Sequence, residues 1–350
     1  MSGLEQEMSK YTFDVRMPSD GRILKIIDRY PIGEDANSLK YNPETIVIYE
    51  DDATKVIDCI ILPKYKKLHQ HFGFDYKYRD TSSLIRKNAF IPKDTIFAAP
   101  KSVSENGDYM YGINAKAALM SVASIAEDGV AIREGFLEKL KFKVYDTRIV
   151  EFGLNSYPLN LYGDMDNYKP FPDIGEYIRE DGTLVVLRDY DVDLSPVDMS
   201  IYDTKEIDYI FDKCLYARAG KGKVVDIKVY NNPGTIDKTP EMITDYLDRY
   251  VNAQQRFYKE LVDTDIALRT ESKKKYGSDR VKLGRTLHKL MTSAYVAIDP
   301  FKDKYKKPVS LMYKKKVLDQ YRVELVIEYE VTPTIGFKLT CTSAGLNSLI

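Results

Sequence analysis

The sequence predicts a mainly β protein with an α insertion, an α+β class. Three observations predict it. Short apolar or alternating runs, separated by Gly, Pro, Asn and Asp, fill the first part of the chain. The spacing of apolar residues then switches to a helical period between Thr239 and Val296. Strand-like runs return from Pro308 onward. At 350 residues the chain is long enough for two or three domains and a sizeable core.

Residues 1–108 read as a β-rich lead-in. Residues 22–27, 45–49 and 56–62 are short apolar or alternating runs that suit strands. Asp20-Gly21 and Asn106-Gly107 are placed for hairpin turns, where Gly takes the positive φ at little cost. Residues 109–150 are expected to continue as strands. Asp181-Gly182 reads as a turn into a strand over 183–187. Residues 221–230 form a further strand with Val225, Ile227 and Val229 on one face.

From 239 to about 275, Ile243, Leu247, Tyr250, Val251, Phe257, Tyr258, Leu261 and Ile266 follow a helical period, with Thr239-Pro240 as cap and first turn. A second helix is expected from about 279 to 296, with Val281, Leu283, Leu287, Leu290 and Met291 on its apolar side. The two are spaced to pair as a hairpin. Residues 308–340 return to strands, most clearly over 322–329. No internal repeat or low-complexity tract interrupts this order.

Composition narrows the function classes. Charged residues make up 30% and apolar ones 44%, a soluble globular balance. The net charge of -1 gives no support for nucleic-acid binding through bulk charge, so local patches such as Lys273-Lys274-Lys275, Lys306-Lys307 and Lys314-Lys315-Lys316 would have to supply it. Three scattered cysteines, Cys59, Cys214 and Cys341, form neither a disulfide framework nor a metal-ligand spacing. Their number points to a reducing, intracellular compartment, the host cytoplasm or a virion-packaged state if the protein is viral. No apolar run approaches membrane-span length, and the N-terminus lacks a signal-peptide pattern.

Several local patterns fail on their chemistry. Asp189-Tyr190-Asp191-Val192-Asp193 lacks the Gly and Glu of an EF-hand loop, since Leu194 and Ser200 stand there. Gly220-Lys221-Gly222-Lys223 lacks P-loop spacing and precedes a strand. His69 and His71 have no third ligand nearby in sequence. No Ser/His/Asp or Cys/His arrangement stands out.

The pair Glu127-Asp128 is different. It follows Tyr111-Gly112-Ile113-Asn114 and an apolar segment, and a second apolar segment follows it. Adjacent carboxylates between buried segments are costly unless cations, donors or a ligand compensate them. Near the other end, residues 322–328 lead through Pro333-Thr334-Ile335 to Gly336-Phe337-Lys338-Leu339-Thr340.

This constellation resembles the second-largest (β) subunit of multisubunit DNA-dependent RNA polymerases. In that family a Gly-x-Asn turn leads through an apolar strand to a Glu-Asp pair beside the incoming nucleotide. A later strand leads to Gly-Asp-Lys-Met, whose lysine faces the RNA 3′ end; Lys338 stands at that position and Phe337 replaces the Asp. The residues Ile91-Pro92-Lys93-Asp94-Thr95-Ile96-Phe97-Ala98, Val130-Ala131-Ile132-Arg133-Glu134-Gly135-Phe136, Gly182-Thr183-Leu184-Val185 and Gly222-Lys223-Val224-Val225-Asp226-Ile227-Lys228-Val229 are similar to further family segments, in the same order. The likeness covers most of residues 20–340 and stops at Cys341. The family's second active-centre lysine, in an Arg-His-Gly-Asn-Lys-Gly loop, has no counterpart.

The resemblance implies a double-psi β-barrel core formed by residues 109–150 and 308–340, carrying Glu127, Asp128 and Lys338. Residues 151–307 would be a flap-like insertion and 341–350 a non-matching tail, from a divided or interrupted gene such as those of large bacteriophages. It implies a fragment subunit, inactive alone, that positions substrate and transcript by charge. Its catalytic Mg2+ would be held mainly by aspartates of a partner subunit. Its implied partners are the remaining polymerase chains, DNA template, RNA transcript, ribonucleoside triphosphates and a promoter-specificity factor docking at the flap. The rival reading is a non-catalytic virion or structural interaction protein that keeps a β-subunit-like fold.

Overall fold

A computed structural model describes residues 7–9, 11–33, 39–68, 71–110, 112–113, 115–118, 120, 123, 125, 129–190, 212–231, 241–298, 312–313, 316–317 and 319–338. The described chain is mainly β with helices, an α+β class.

The lead-in centres on an antiparallel sheet of β2 (Gly21–Asp28), β3 (Glu44–Asp51), β4 (Ile57–Pro63) and β8 (Phe90–Ile91), in the order β4-β3-β2-β8. A smaller sheet joins β1 (Val15–Arg16), β9 (Ile96–Ala99) and β7 (Lys77–Tyr78), and β5 (Tyr65–Lys67) pairs with β6 (Gly73–Asp75). The expected turn at Asn106-Gly107 is present: Gly107 has φ +88°, and Val103 bridges Tyr109 across it. The expected hairpin at Asp20-Gly21 is not. β1 pairs with β9 instead, and the Asp20 carboxylate accepts from the Lys93 N–H at 2.7 Å. Gly21 serves close packing, because a Cβ there would lie 2.7 Å from the Glu50 carbonyl oxygen.

The central sheet holds β10 (Phe142–Phe152), β17 (Tyr321–Val331) and β14 (Lys223–Asn231), with β17 in the middle. A second sheet of β11 (Ser156–Pro158), β12 (Thr183–Asp189) and β13 (Asp212–Tyr216) shares its core. The strand predicted over 183–187 is β12, which is buried on both faces from Leu184 to Leu187. A short hairpin, β15 (Met312–Tyr313) and β16 (Lys316–Val317), precedes β17.

Alternation on β17 sets the two faces of the central sheet. Tyr321, Val323, Leu325, Ile327 and Tyr329 enter the core, while Arg322, Glu324 and Glu328 take the other side. On β14 the register shifts between Val224 and Asp226. This bulge corrects the single-face expectation for Val225, Ile227 and Val229. Val224 joins Ile227 and Val229 in the core, whereas Val225, though buried, lies outside that cluster.

Residues 129–141 correct the expectation of strands throughout 109–150. Residues 134–140 form α1 (Glu134–Leu140). Phe136, Leu137 and Leu140 fall at helical spacing, and the Phe136 N–H donates to the Arg133 carbonyl at 2.8 Å.

α2 (Glu241–Tyr276) carries the long helical pattern. Its 36 residues give a length of about 54 Å at about 1.5 Å per residue. Ile243, Tyr246, Leu247, Tyr250 and Ala253 pack into the central core. Phe257 and Leu261 pack instead with α3 (Arg285–Ile298) onto β2, β3 and β4. Ile266, expected on the apolar stripe, is exposed. α3 begins at Arg285 rather than near 279, because Leu283 bridges Ile57 on β4 and the Asp58 carboxylate accepts from the Leu287 N–H at 2.8 Å. Strand β4 thus supplies the cap that the helix's own sequence lacks. The Thr239-Pro240 start of α2 lies outside the described residues.

Leu261 is fully buried where α2 meets α3 and the lead-in sheet. Leu261→Ala is expected to destabilise the protein by about 2–5 kcal/mol, read as a lower denaturation midpoint by circular dichroism. The exposed change Ile266→Ala is expected to stay within about 0.5 kcal/mol.

Candidate functional site

Of the three residues singled out in the sequence, Glu127 and Asp128 lie outside the described residues, as do Tyr111 and Asn114. Lys338 is described. It follows β17 through a turn in which the Phe337 N–H donates to the Thr334 carbonyl at 3.1 Å and Gly336 takes φ +85°. Lys338 is exposed, and its ammonium makes no ion pair with a described carboxylate. The preceding Phe337 is anchored, its ring 5.7 Å from that of Phe142 at the start of β10.

β10 and β17 pair antiparallel from Phe142 opposite Val331 to Phe152 opposite Tyr321. The chain arriving from Asp128 through α1 and the chain leaving for Lys338 therefore meet the ladder at one end. Val144, Val150 and Phe152 are buried beside Tyr329, Val323 and Tyr321, while Asp146 and Arg148 interrupt that face of β10 opposite Ile327 and Leu325.

The opposite face of this sheet carries a polar chain that sequence reading missed. Arg29 donates to Asp226 at 3.1 Å and lies 3.5 Å from Glu44. The Tyr65 hydroxyl donates to the same Asp226 oxygen at 3.1 Å. The Tyr65 ring stacks on Tyr145, with centroids 5.1 Å apart. The Tyr145 hydroxyl donates to Glu328 at 2.8 Å, and Lys143 reaches Glu328 at 2.7 Å and Asp75 at 3.2 Å. The chain joins the lead-in sheet to the central sheet. It borders a cavity of about 300 Å³ lined by Arg29, Glu44, Tyr65, Lys66, Lys67, Asp226 and Lys228. One sign was available: Asp226 interrupts the apolar run Val224-Val225-Asp226-Ile227, and a carboxylate there needs a buried partner.

Electrostatics limit what this network does. Burial raises the Tyr65 and Tyr145 hydroxyls far above the usual phenol range, and the neighbouring carboxylates raise them further. Burial opposes the charge on Arg29, but the Tyr30, Asp226 and Glu44 oxygens outweigh it. The phenols are hydrogen-bond donors at neutral pH, and the guanidinium is a fixed charge. Neither supplies a general base.

A second polar cluster lies where α2 meets the loop after β11. The Asp173 carboxylate accepts from Tyr246 at 2.9 Å, Tyr250 at 2.8 Å and Arg249 at 2.8 Å, with Lys169 at 3.4 Å. Burial would raise its pKa, but the charges of Arg249 and Lys169 and the two tyrosine hydroxyls bring it below the usual carboxylate value. An open cavity of about 510 Å³ adjoins it, lined by residues that include Asp164, Asp166, Lys169, Asp245 and Arg249.

The remaining sequence patterns keep modest roles. Asp189 is exposed at the end of β12, while Asp191 and Asp193 lie outside the described residues. His71 sits 3.5 Å from Asp146, and His69 is outside the described residues. Gly222 precedes β14 as expected, and a Cβ there would meet the Ile327 side chain at 2.5 Å. Among the described residues, no group of three or more His, Cys, Asp or Glu is arranged to hold a metal ion, and no helix is long and apolar enough to cross a membrane.

Two measurements test the polar clusters. Arg29→Met leaves the buried Asp226 without its cation and is expected to cost about 3–5 kcal/mol in chemical denaturation. The double change Arg29→Met with Asp226→Leu is expected to recover much of that loss. Asp173 has a depressed folded-state pKa, so its contribution is full above the unfolded value of about 3.9 and is lost as pH falls through the folded value. Asp173→Asn is therefore expected to lower stability at pH near 7 and to flatten its fall in acid below about pH 4, followed by urea midpoints across pH.

Neither a scan against protein-family models nor a search of curated proteins finds a match to this sequence. The roles of these groups therefore rest on their own geometry and chemistry.

Proposed function

We propose that this chain is a fragment subunit of a DNA-dependent RNA polymerase, of the kind that the second-largest subunit would yield when divided. The supporting observation is the β10–β17 ladder. It pairs β10, which α1 precedes, with β17, the strand that leads to Lys338. The double-psi β-barrel belongs to the same proposal, as do the nucleic-acid, nucleotide and polymerase-chain partners.

In this reading Lys338 is a fixed positive charge against the phosphates of the transcript end. Its exposure, with no described carboxylate to neutralise it, suits that role. Glu127 and Asp128 orient the incoming substrate or the groups around it. The Mg2+ ions that phosphoryl transfer requires are held by aspartates of another chain, and they stabilise the charge on the transferring phosphoryl group. The chain's own residues position and neutralise; they do not move a proton. The isolated chain is accordingly inactive.

The first test is affinity purification of the tagged chain from its native cell, with mass spectrometry of its companions. The expected companion is a large chain bearing an Asn-Ala-Asp-Phe-Asp-Gly-Asp motif. Recovery of capsid or tail proteins alone would replace the polymerase reading with that of a virion component. In the reconstituted complex, Lys338→Ala is expected to slow nucleotide addition by about 10²-fold while leaving subunit assembly intact. Unchanged transcription would remove Lys338 from the active centre.

A further inference from the structure

We propose that the tip of the α2–α3 hairpin is a docking surface for the sugar-phosphate backbone of duplex DNA. The inference rests on charge and geometry, and it stands whether or not the polymerase reading does.

Between positions 273 and 289 the chain carries seven Lys or Arg and a single Asp, although its overall charge is -1. The excess is therefore local. Lys273, Lys274 and Lys275 are exposed on the last turn of α2, and Arg280 and Lys282 are exposed in the connection. Arg285 and Lys289 are exposed four residues apart at the start of α3, which puts them on one helical face. None of the seven makes an ion pair with a carboxylate among the described residues. Like charges this close repel one another, and a polyanion relieves that repulsion.

The tip is held in place before any partner arrives. Gly277 takes φ +68° and its N–H donates to the Lys273 carbonyl at 2.9 Å, closing α2. The Gly284 N–H donates to the Ile57 carbonyl at 2.7 Å, fixing the connection to β4. Little backbone ordering remains to be met on binding.

Charge complementarity selects the occupant. Val281 and Leu283, the apolar residues of the connection, are half-buried against the lead-in core. The tip thus lacks the clustered anchors of a protein hot spot and the apolar face that a membrane surface requires. Tyr276, 73% exposed, and His288 are the two aromatic rings between 273 and 289, too few for a single-strand stacking platform. Asn and Gln, which read adenine edges, are absent from the same stretch. What remains is an array of cations suited to phosphates.

The test is fluorescence anisotropy of the full-length chain with a labelled mixed-sequence duplex of about 20 base pairs, from about 50 to 200 mM salt. The wild-type chain is expected to bind with a slope of log K against log salt of about -0.9 per phosphate contacted. Lys273→Gln/Lys274→Gln/Lys275→Gln is expected to weaken binding by about tenfold or more and to make the slope shallower by about 2–3. Arg280→Gln/Lys282→Gln, in the connection, is expected to make it shallower by about 1–2. Lys87→Gln/Lys93→Gln/Lys101→Gln removes the same net charge from exposed positions elsewhere and is expected to change affinity by less than about twofold. Circular dichroism verifies that each variant is folded. Absence of wild-type binding at the lowest salt, equal loss in the control triple variant, or stronger competition by polyglutamate or anionic vesicles at equal charge would each overturn the proposal. None of these results bears on which proteins co-purify with the chain, so the two readings fail separately.

Discussion

A single helix has to satisfy two hydrophobic cores. The first half of α2 must present Ile243, Leu247 and Tyr250 to the two sheets of the central core, while its second half presents Phe257 and Leu261 to the lead-in sheet and α3. The buried residues keep a spacing of three or four throughout, so one continuous stripe serves both. α2 is one continuous helix through both cores. The two cores are consequently held at a separation that α2 dictates, and the polar chain from Glu44 to Asp75 spans the seam beside it. The aromatic residues concentrated here make sense in those terms. Tyr30, Tyr65, Tyr145, Tyr246 and Tyr250 each fill volume with a ring and end in a hydroxyl that finds a buried acceptor.

The elements most legible in the sequence are those whose pattern reflects local burial. β2, β3, β4, β12 and β17 are evident because apolar residues alternate or run between turn residues, and α2 because its stripe is long. Where partners distant in sequence intervene, local reading fails. Residues 281–284 look helical by period, yet they are drawn into extended backbone by β4, and the true start of α3 depends on Asp58, more than two hundred positions earlier. The one-residue slip at Val225 is invisible to a period-two reading, because its neighbours Val224 and Ile227 are apolar as well. α1 was obscured by its neighbours, since an apolar segment leading into it looked like one continuous strand.

Site residues were legible to a different degree. The strand that leads to Lys338 was legible and is present as β17. The buried Arg29–Asp226 pair was passed over because its members lie nearly two hundred positions apart, and neither is unusual alone. Only the cost of a carboxylate in an apolar strand marks Asp226, and that cost says nothing about which cation meets it. The Asp173 cluster escaped for the same reason, since Tyr246, Arg249 and Tyr250 read as one stretch of helix until a loop carboxylate is set against them.

The central position of β17 has a consequence for synthesis. Its partners, β10 and β14, do not pair with each other; both depend on a strand whose last residue is Val331. As the chain emerges from the ribosome, those two strands and the apolar faces of β12 and α2 are made well before the strand that joins them. The lead-in strands can pair early, but the second core must wait with its edges open. Such late, long-range closure slows folding and leaves unpaired strands exposed to other chains. A cell making this protein therefore handles a nascent chain that is half organised until β17 appears.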